Sequence, residues 1–179
     1  MVVPRSWKDG DAVAALREFL NEPPPRRRAV RALMTELLSA DPFARRCAAD
    51  LARRVSAREP GILRKYADVF IELVTELPAE EWQARGYVTL AAALNAYTHS
   101  QRMKLAPMVR SLANDERNAI RAIALEAFAI IAAAEPELRE EAMLLLEHSR
   151  REGTPAMRTR ARRMVLLLLA CEDKASKKL

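Results

Sequence analysis

Residues 114–135, NDERNAIRAIALEAFAIIAAAE, constrain the fold more than any other stretch of the chain. Their interior holds neither Gly nor Pro, and Ala, Ile, Leu and Phe recur on nearly every side at helical spacing, so the pattern predicts a helix crowded by other helices. Asn114 or Asp115 is expected to cap its first amides, Glu116 suits the positive end of the dipole, and Pro136 forbids propagation. Four Gly in 179 residues are too few for the tight turns of an all-β chain. Most of the ten Pro fall where helices should start or stop.

The same reasoning marks out eight further helices. Residues 11–21 carry Val13, Leu16, Phe19 and Leu20 as an apolar side, and Glu22-Pro23-Pro24-Pro25 ends them. Residues 26–40 place Val30, Leu33, Met34, Leu37 and Leu38 on one stripe. Asp41-Pro42 opens a helix to about Arg58, with Phe43, Cys47, Ala48, Leu51 and Val55 inward. Residues 62–77 form the strongest stripe, and residues 79–98 follow with Trp82, Gly86, Leu90, Ala93, Leu94 and Tyr97, whose small members let a neighbour approach. Ser100 is expected to cap residues 100–113, which Pro107 should kink. Residues 137–151 and a last helix from Thr154-Pro155 to about Ala170 complete nine, and residues 172–179 read as a disordered polar tail.

An internal period runs through these elements. Arg45, Arg85, Arg121 and Arg158 each follow an apolar residue, precede one three positions on, and lie 40, 36 and 37 residues apart. A period near this value with two helices per unit is the signature of an α-solenoid. The chain resembles the HEAT/armadillo class over about residues 41–170, on Asp41-Pro42 before Arg45, Asn114-Asp115 before Ile120-Arg121, and Thr154-Pro155 before Arg158. Glu81 stands where the second unit would have Asp, and Gly86 after Arg85 departs from the pattern.

That resemblance implies an all-α, right-handed α-α superhelix of helical hairpins, with residues 1–40 as a degenerate or capping unit, 41–170 as repeats and 171–179 as tail. It also implies that Asp41, Asp115, Arg45, Arg85, Arg121 and Arg158 form a structural ladder. The second helices would line a concave groove that grips a protein, a peptide or nucleic acid. A non-catalytic scaffold or adaptor for a protein partner is the function expected, with sequence-tolerant nucleic-acid binding as the alternative.

Charge suggests where such a partner would sit. The net charge is +6, distributed as +4 over residues 1–60, −3 over 61–150 and +5 over 151–179. Exposed basic residues expected to touch the partner are Arg27, Arg28 and Arg31 near one end, Arg64, Lys65, Arg102 and Lys104 on the groove, and Arg160 and Arg163 near the other end. Few aromatics interleave with them, so any nucleic-acid contact should be directed at phosphates.

No catalytic constellation is expected. His99 and His148 are read as cations near helix C-termini without ligands at i+3 or i+4, and neither metal nor cofactor is predicted. A HEAT-like DNA glycosylase would need aromatic residues and a carboxylate in a basic cleft, for which Trp82 with Glu81, Arg85 and Tyr87 is the nearest group. Trp82 falls on the wrong helix of its pair and at a core spacing. Cys47 and Cys171 suggest buried thiols in a reducing compartment. With no apolar signal sequence at the start and no run long enough to span a bilayer, a cytoplasmic location without membrane contact is expected. The apolar run Met164 to Leu169 leaves Leu166, Leu167 and Leu169 as a possible homodimer surface.

Overall fold

A computed structural model describes residues 9–176, with side chains described for 10–171. Nine α-helices and no strand are found among the described residues. They are α1 (Asp9–Asn21), α2 (Arg27–Leu37), α3 (Pro42–Arg58), α4 (Ala67–Glu76), α5 (Trp82–Asn95), α6 (His99–Leu112), α7 (Asn118–Ala134), α8 (Arg139–Glu152) and α9 (Pro155–Ser176). Three of them are entered through a 3-10 turn, at Arg64–Tyr66, Ala79–Glu81 and Pro136–Leu138. No helix among the described residues is long and apolar enough to cross a membrane.

The helices gather into two compact units, Met1–Asn95 and Ala96–Leu179. In the first, α3 packs against α1, α2 and α5, and α4 covers α5. Small side chains make this possible: Ala44, Ala48, Ala49 and Ala52 on α3 and Ala84, Ala91 and Ala92 on α5 are all buried. Leu33, Leu37, Leu51, Leu63, Phe70 and Ile71 fill the space around them. Each such side chain contributes about 1.5–3 kcal/mol on burial. In the second unit α7 packs against α6, α8 and α9, and α8 packs against α9. Phe128, Ile120, Ile131, Leu105, Leu146 and Leu168 are its largest buried side chains.

Cap chemistry explains several boundaries. Asp41 Oδ1 accepts from the Phe43 amide at 2.9 Å and Pro42 starts α3 without needing a donor. Glu22 performs the same task for α2 from outside, its two oxygens accepting from the Arg28 and Ala29 amides at 3.0 and 2.9 Å. Gly61 turns the chain out of α3 at φ +87°, where a side chain would be strained. Gly153 is required by proximity, because a Cβ there would lie 2.3 Å from the Ser149 carbonyl oxygen and 2.9 Å from Met157 Cβ.

Other boundaries depart from the sequence expectation. The start of α6 is capped by Thr98 rather than Ser100, through a capping box in which Gln101 reaches back to the Thr98 amide at 3.2 Å. Residues 79–98 are consequently broken at Asn95, and His99 sits in a first helical turn rather than near a C-terminus. In α7 the helix starts at Asn118, and Asp115 accepts from the Arg117 amide at 2.8 Å in the turn before it. The buried side of α1 is Ala12, Ala15 and Phe19, while Val13 is exposed. Leu38 follows α2 and is likewise exposed, so the stripe there ends at Leu37. Backbone of α9 remains helical to Ser176, since Glu172, Lys174 and Ala175 propagate a helix well and no Gly or Pro intervenes. The rest of the expected tail, residues 177–179, lies outside the described residues.

Within each unit, polar contacts join residues some 33 to 39 positions apart. Arg45 Nε donates to Glu81 Oε2 at 2.7 Å and its second nitrogen bonds the other oxygen, across 36 residues. Arg46 reaches Gln83 Oε1 at 2.9 Å across 37, and Asn95 Nδ2 donates to buried Ser56 Oγ at 2.7 Å across 39. In the second unit Arg160 and Arg163 both bind Glu126, with Arg160 at 3.1 Å. Arg85 and Arg121 are engaged locally instead, Arg85 with the Val74 carbonyl at 2.9 Å and Arg121 with Asn118.

Candidate functional site

Arg26 stands at the edge of a cationic surface of the first unit. It occupies the N-cap of α2 in the left-handed region, at φ 52°, a conformation unusual for a branched-off side chain and stable only when its surroundings hold it. They do so here: Arg26 donates to Glu59 Oε2 at 3.0 Å and to the Leu20 carbonyl at 3.1 Å. This clasp ties the proline turn before α2 to the turn after α3.

Between those two turns lies a cleft of about 500 Å³. Pro24, Pro25, Val30, Pro60 and Ile62 give it apolar walls, and half-buried Tyr66 contributes an aromatic face. Arg27 and Arg31, four residues apart on α2 and therefore on one side of it, enter from one wall, and Lys65 enters from the 3-10 turn, 6.0 Å from the Tyr66 ring centre. All three are exposed. With Arg26 neutralised by Glu59, they leave the lining with a surplus of three positive charges.

The other basic residues singled out in the sequence are placed differently. Arg28 points to a second cleft, of about 320 Å³, that also contains Glu18 and Glu22. Arg64 is exposed on the same turn as Lys65, and Lys104 is exposed on α6. Arg160 and Arg163 lie together over Glu126. Arg102 has an internal duty: its Nε donates to Glu135 Oε1 at 2.5 Å, and Nη1 donates to the Tyr97 carbonyl at 2.6 Å. Of the group around Trp82, Glu81 is held by Arg45, Arg85 by the Val74 carbonyl, and Tyr87 lies under Arg53 at 4.7 Å.

Glu135 is the ionisable group that sequence reasoning overlooked. It ends α7 in an extended conformation, only 6% of its side chain is exposed, and His99 Nδ1 lies 2.9 Å from Oε2 while Arg102 holds Oε1. Burial pushes its carboxyl up, but the hydrogen bonds from His99 and Arg102 and their charge outweigh that and leave it below the usual glutamate range. Glu137, two residues on and exposed, brings a second carboxylate, and one ligand atom from each of His99, Glu135 and Glu137 lies within 4.8 Å of the others. His148 also has a carboxylate neighbour, Glu152 four residues on at 3.5 Å. Both histidines therefore lie nearer to acidic groups than the reading of isolated helix-end cations allowed.

The two thiols differ. Cys47 is fully buried in α3, and burial pushes its pKa up to about 11, which keeps it protonated and poorly nucleophilic. Cys171 is partly exposed.

The signal for the cleft was present in the sequence as two proline turns, Glu22 to Arg26 and Arg58 to Gly61. Nothing local could have paired His99 with Glu135, which are 36 residues apart. Comparison of this chain with family models, with curated proteins and with solved structures finds no match.

Proposed function

We propose that this chain is a non-catalytic helical-repeat adaptor of HEAT-like construction, and that its first unit receives an acidic, extended segment of a protein partner in the cleft of Arg27, Arg31, Lys65 and Tyr66. The observation that carries this reading is the convergence of three exposed cations on apolar walls, with no facing carboxylate other than Glu59, already bonded to Arg26. Proline-lined walls take an extended backbone, and the cations select its acidic side chains. The recurrence of polar contacts at 36, 37 and 39 residues supports the repeat construction.

Nucleic acid is the second reading, favoured by the Tyr66 ring beside Lys65, which offers a stacking face within a cationic cleft. A single experiment separates the two. Fluorescence anisotropy would follow a labelled peptide of alternating Glu and aliphatic residues, a single-stranded oligonucleotide and a duplex, at about 50 and 200 mM salt. The peptide is expected to bind, and Arg27→Glu with Arg31→Glu should weaken it at least about tenfold, a change of ~1.4 kcal/mol. Tighter, steeply salt-dependent binding of the single strand would replace the protein reading with the nucleic-acid one. If no probe binds at the lower salt, the cleft is not a binding site for acidic chains.

A further inference from the structure

We propose that His99, Glu135 and Glu137 form a three-ligand site for a divalent ion of the zinc class, with a fourth position open to water or a partner's side chain. The site is distinct from the cleft and belongs to the second unit alone.

The donor set is a nitrogen and two carboxylate oxygens, ligand types that zinc accepts, and three protein ligands are the number that leaves its fourth position open. Its geometry is close to what ligation needs. In a tetrahedral zinc site with metal–ligand distances of about 2.0–2.1 Å, neighbouring ligand atoms are about 3.3 Å apart. His99 Nδ1 and Glu135 Oε2 are already 2.9 Å apart, so an ion replacing the shared proton would spread them by a few tenths of an ångström. Glu137 brings its oxygen within 4.8 Å of both. It is exposed on the 3-10 turn Pro136–Leu138, two residues after Glu135.

The surroundings are also those of a supported ligand rather than of a loose acidic patch. Arg102 occupies Oε1 of Glu135 and leaves Oε2 turned toward His99, so the carboxylate is oriented before any ion arrives. Hydrogen bonds of this kind to the far atoms of ligands commonly fix metal sites. Arg102 is itself pinned to the Tyr97 carbonyl, and the capping box of Thr98 and Gln101 sets the direction of the turn that carries both His99 and Arg102. The two carboxylates offset the ion's charge, with Arg102 on the far oxygen of Glu135 leaving one positive charge over. Loading requires Nδ1 to be free of its proton: a neutral imidazole keeps its hydrogen on Nε2, and an imidazolium releases one proton to solvent.

Isothermal titration of the full chain with Zn²⁺ near neutral pH tests this. One ion per chain is expected. His99→Ala and Glu137→Gln should each weaken uptake at least about tenfold, the effect known even for groups behind the ligands. Both positions are exposed, and circular dichroism would verify that each variant folds. His148→Ala, which removes the histidine facing Glu152, should leave uptake unchanged. Replacing Zn²⁺ by Co²⁺ supplies a second readout, a visible absorption band that disappears in His99→Ala. Absence of saturable uptake by the unmodified chain, uptake that survives both ligand substitutions, or uptake lost with His148→Ala would overturn the site.

Discussion

Two buried carboxylates, one in each unit, solve the same electrostatic problem in different ways. Asp50 lies on α3 with 4% of its side chain exposed, and its partners include Arg53 and Arg54, three and four residues along the same helix. Arg54 Nε donates to both its oxygens, at 3.2 and 3.1 Å. Glu135 lies past the end of α7, and its partners Arg102 and His99 come from 33 and 36 residues earlier. The Arg53 and Arg54 contacts of the first come from the acid's own helix and form with it. The second joins the start of α6 to the end of α7, and it leaves one oxygen facing an exposed imidazole and a second carboxylate. A buried acid paired along its own helix stabilises that helix; one paired from a distance ties segments together and remains open to further chemistry.

Replacing each acid by its amide tests that contrast most strongly. Glu135→Gln removes the charge opposite Arg102, whose guanidinium is pinned and only 18% exposed, so chemical denaturation should show a loss of about 3 kcal/mol, the low end of the cost of breaking a buried pair. Asp50→Asn should cost about 1.5 kcal/mol, as for loss of a hydrogen bond to a charged group, since Arg53 and Arg54 are 26% and 22% exposed and can turn toward water. An equal or larger loss at Asp50 would break the comparison.

Acid sharpens it further. The carboxyl of Glu135 is held below its ordinary value in the folded chain, so the unfolded chain takes up its proton first as pH falls. Its contribution is complete above the unfolded value of about 4.3 and is lost as pH drops through the depressed folded value. The stability gap between the unmodified chain and Glu135→Gln should therefore narrow as pH falls below about 4.3.

The smallest effect concerns Cys47, one turn before Asp50 on α3. With its thiol buried and its pKa near 11, labelling by an alkylating reagent at pH 8 should be confined to Cys171 in the folded chain and extend to Cys47 only in denaturant. Rapid modification of Cys47 without denaturant would show that α3 opens readily, and the Asp50 pair with it.

What could be read from the sequence follows the range of the forces involved. The extent of α3 was legible because Asp41, Pro42 and the turn at Pro60-Gly61 act on their immediate neighbours. Stripes were legible where bulky residues repeat, as at Val30, Leu33, Met34 and Leu37, and misread in α1, where Ala12 and Ala15 face the core and Val13 does not. Hydrophobicity ranked Val above Ala there, but close approach to α3 favoured the smaller side chain. Thr98 prevailed over Ser100 as a cap because Gln101 completes a reciprocal pair with it.

The candidate sites divide along the same line. Arg27, Arg31 and Lys65 were recognisable as exposed cations, yet their convergence on Tyr66 required the two proline turns to be clasped by Arg26 and Glu59. Arg102, an equally plausible surface cation by sequence, is committed to Glu135, and Arg160 and Arg163 lie over Glu126. The sequence by itself determined the helical elements and caps such as that of Asp41 on α3, because those depend on residues a turn or two apart. Only the tertiary structure decided which charges are paired and which remain available, because a guanidinium finds its carboxylate some 33 to 37 residues away and local spacing carries no record of that meeting.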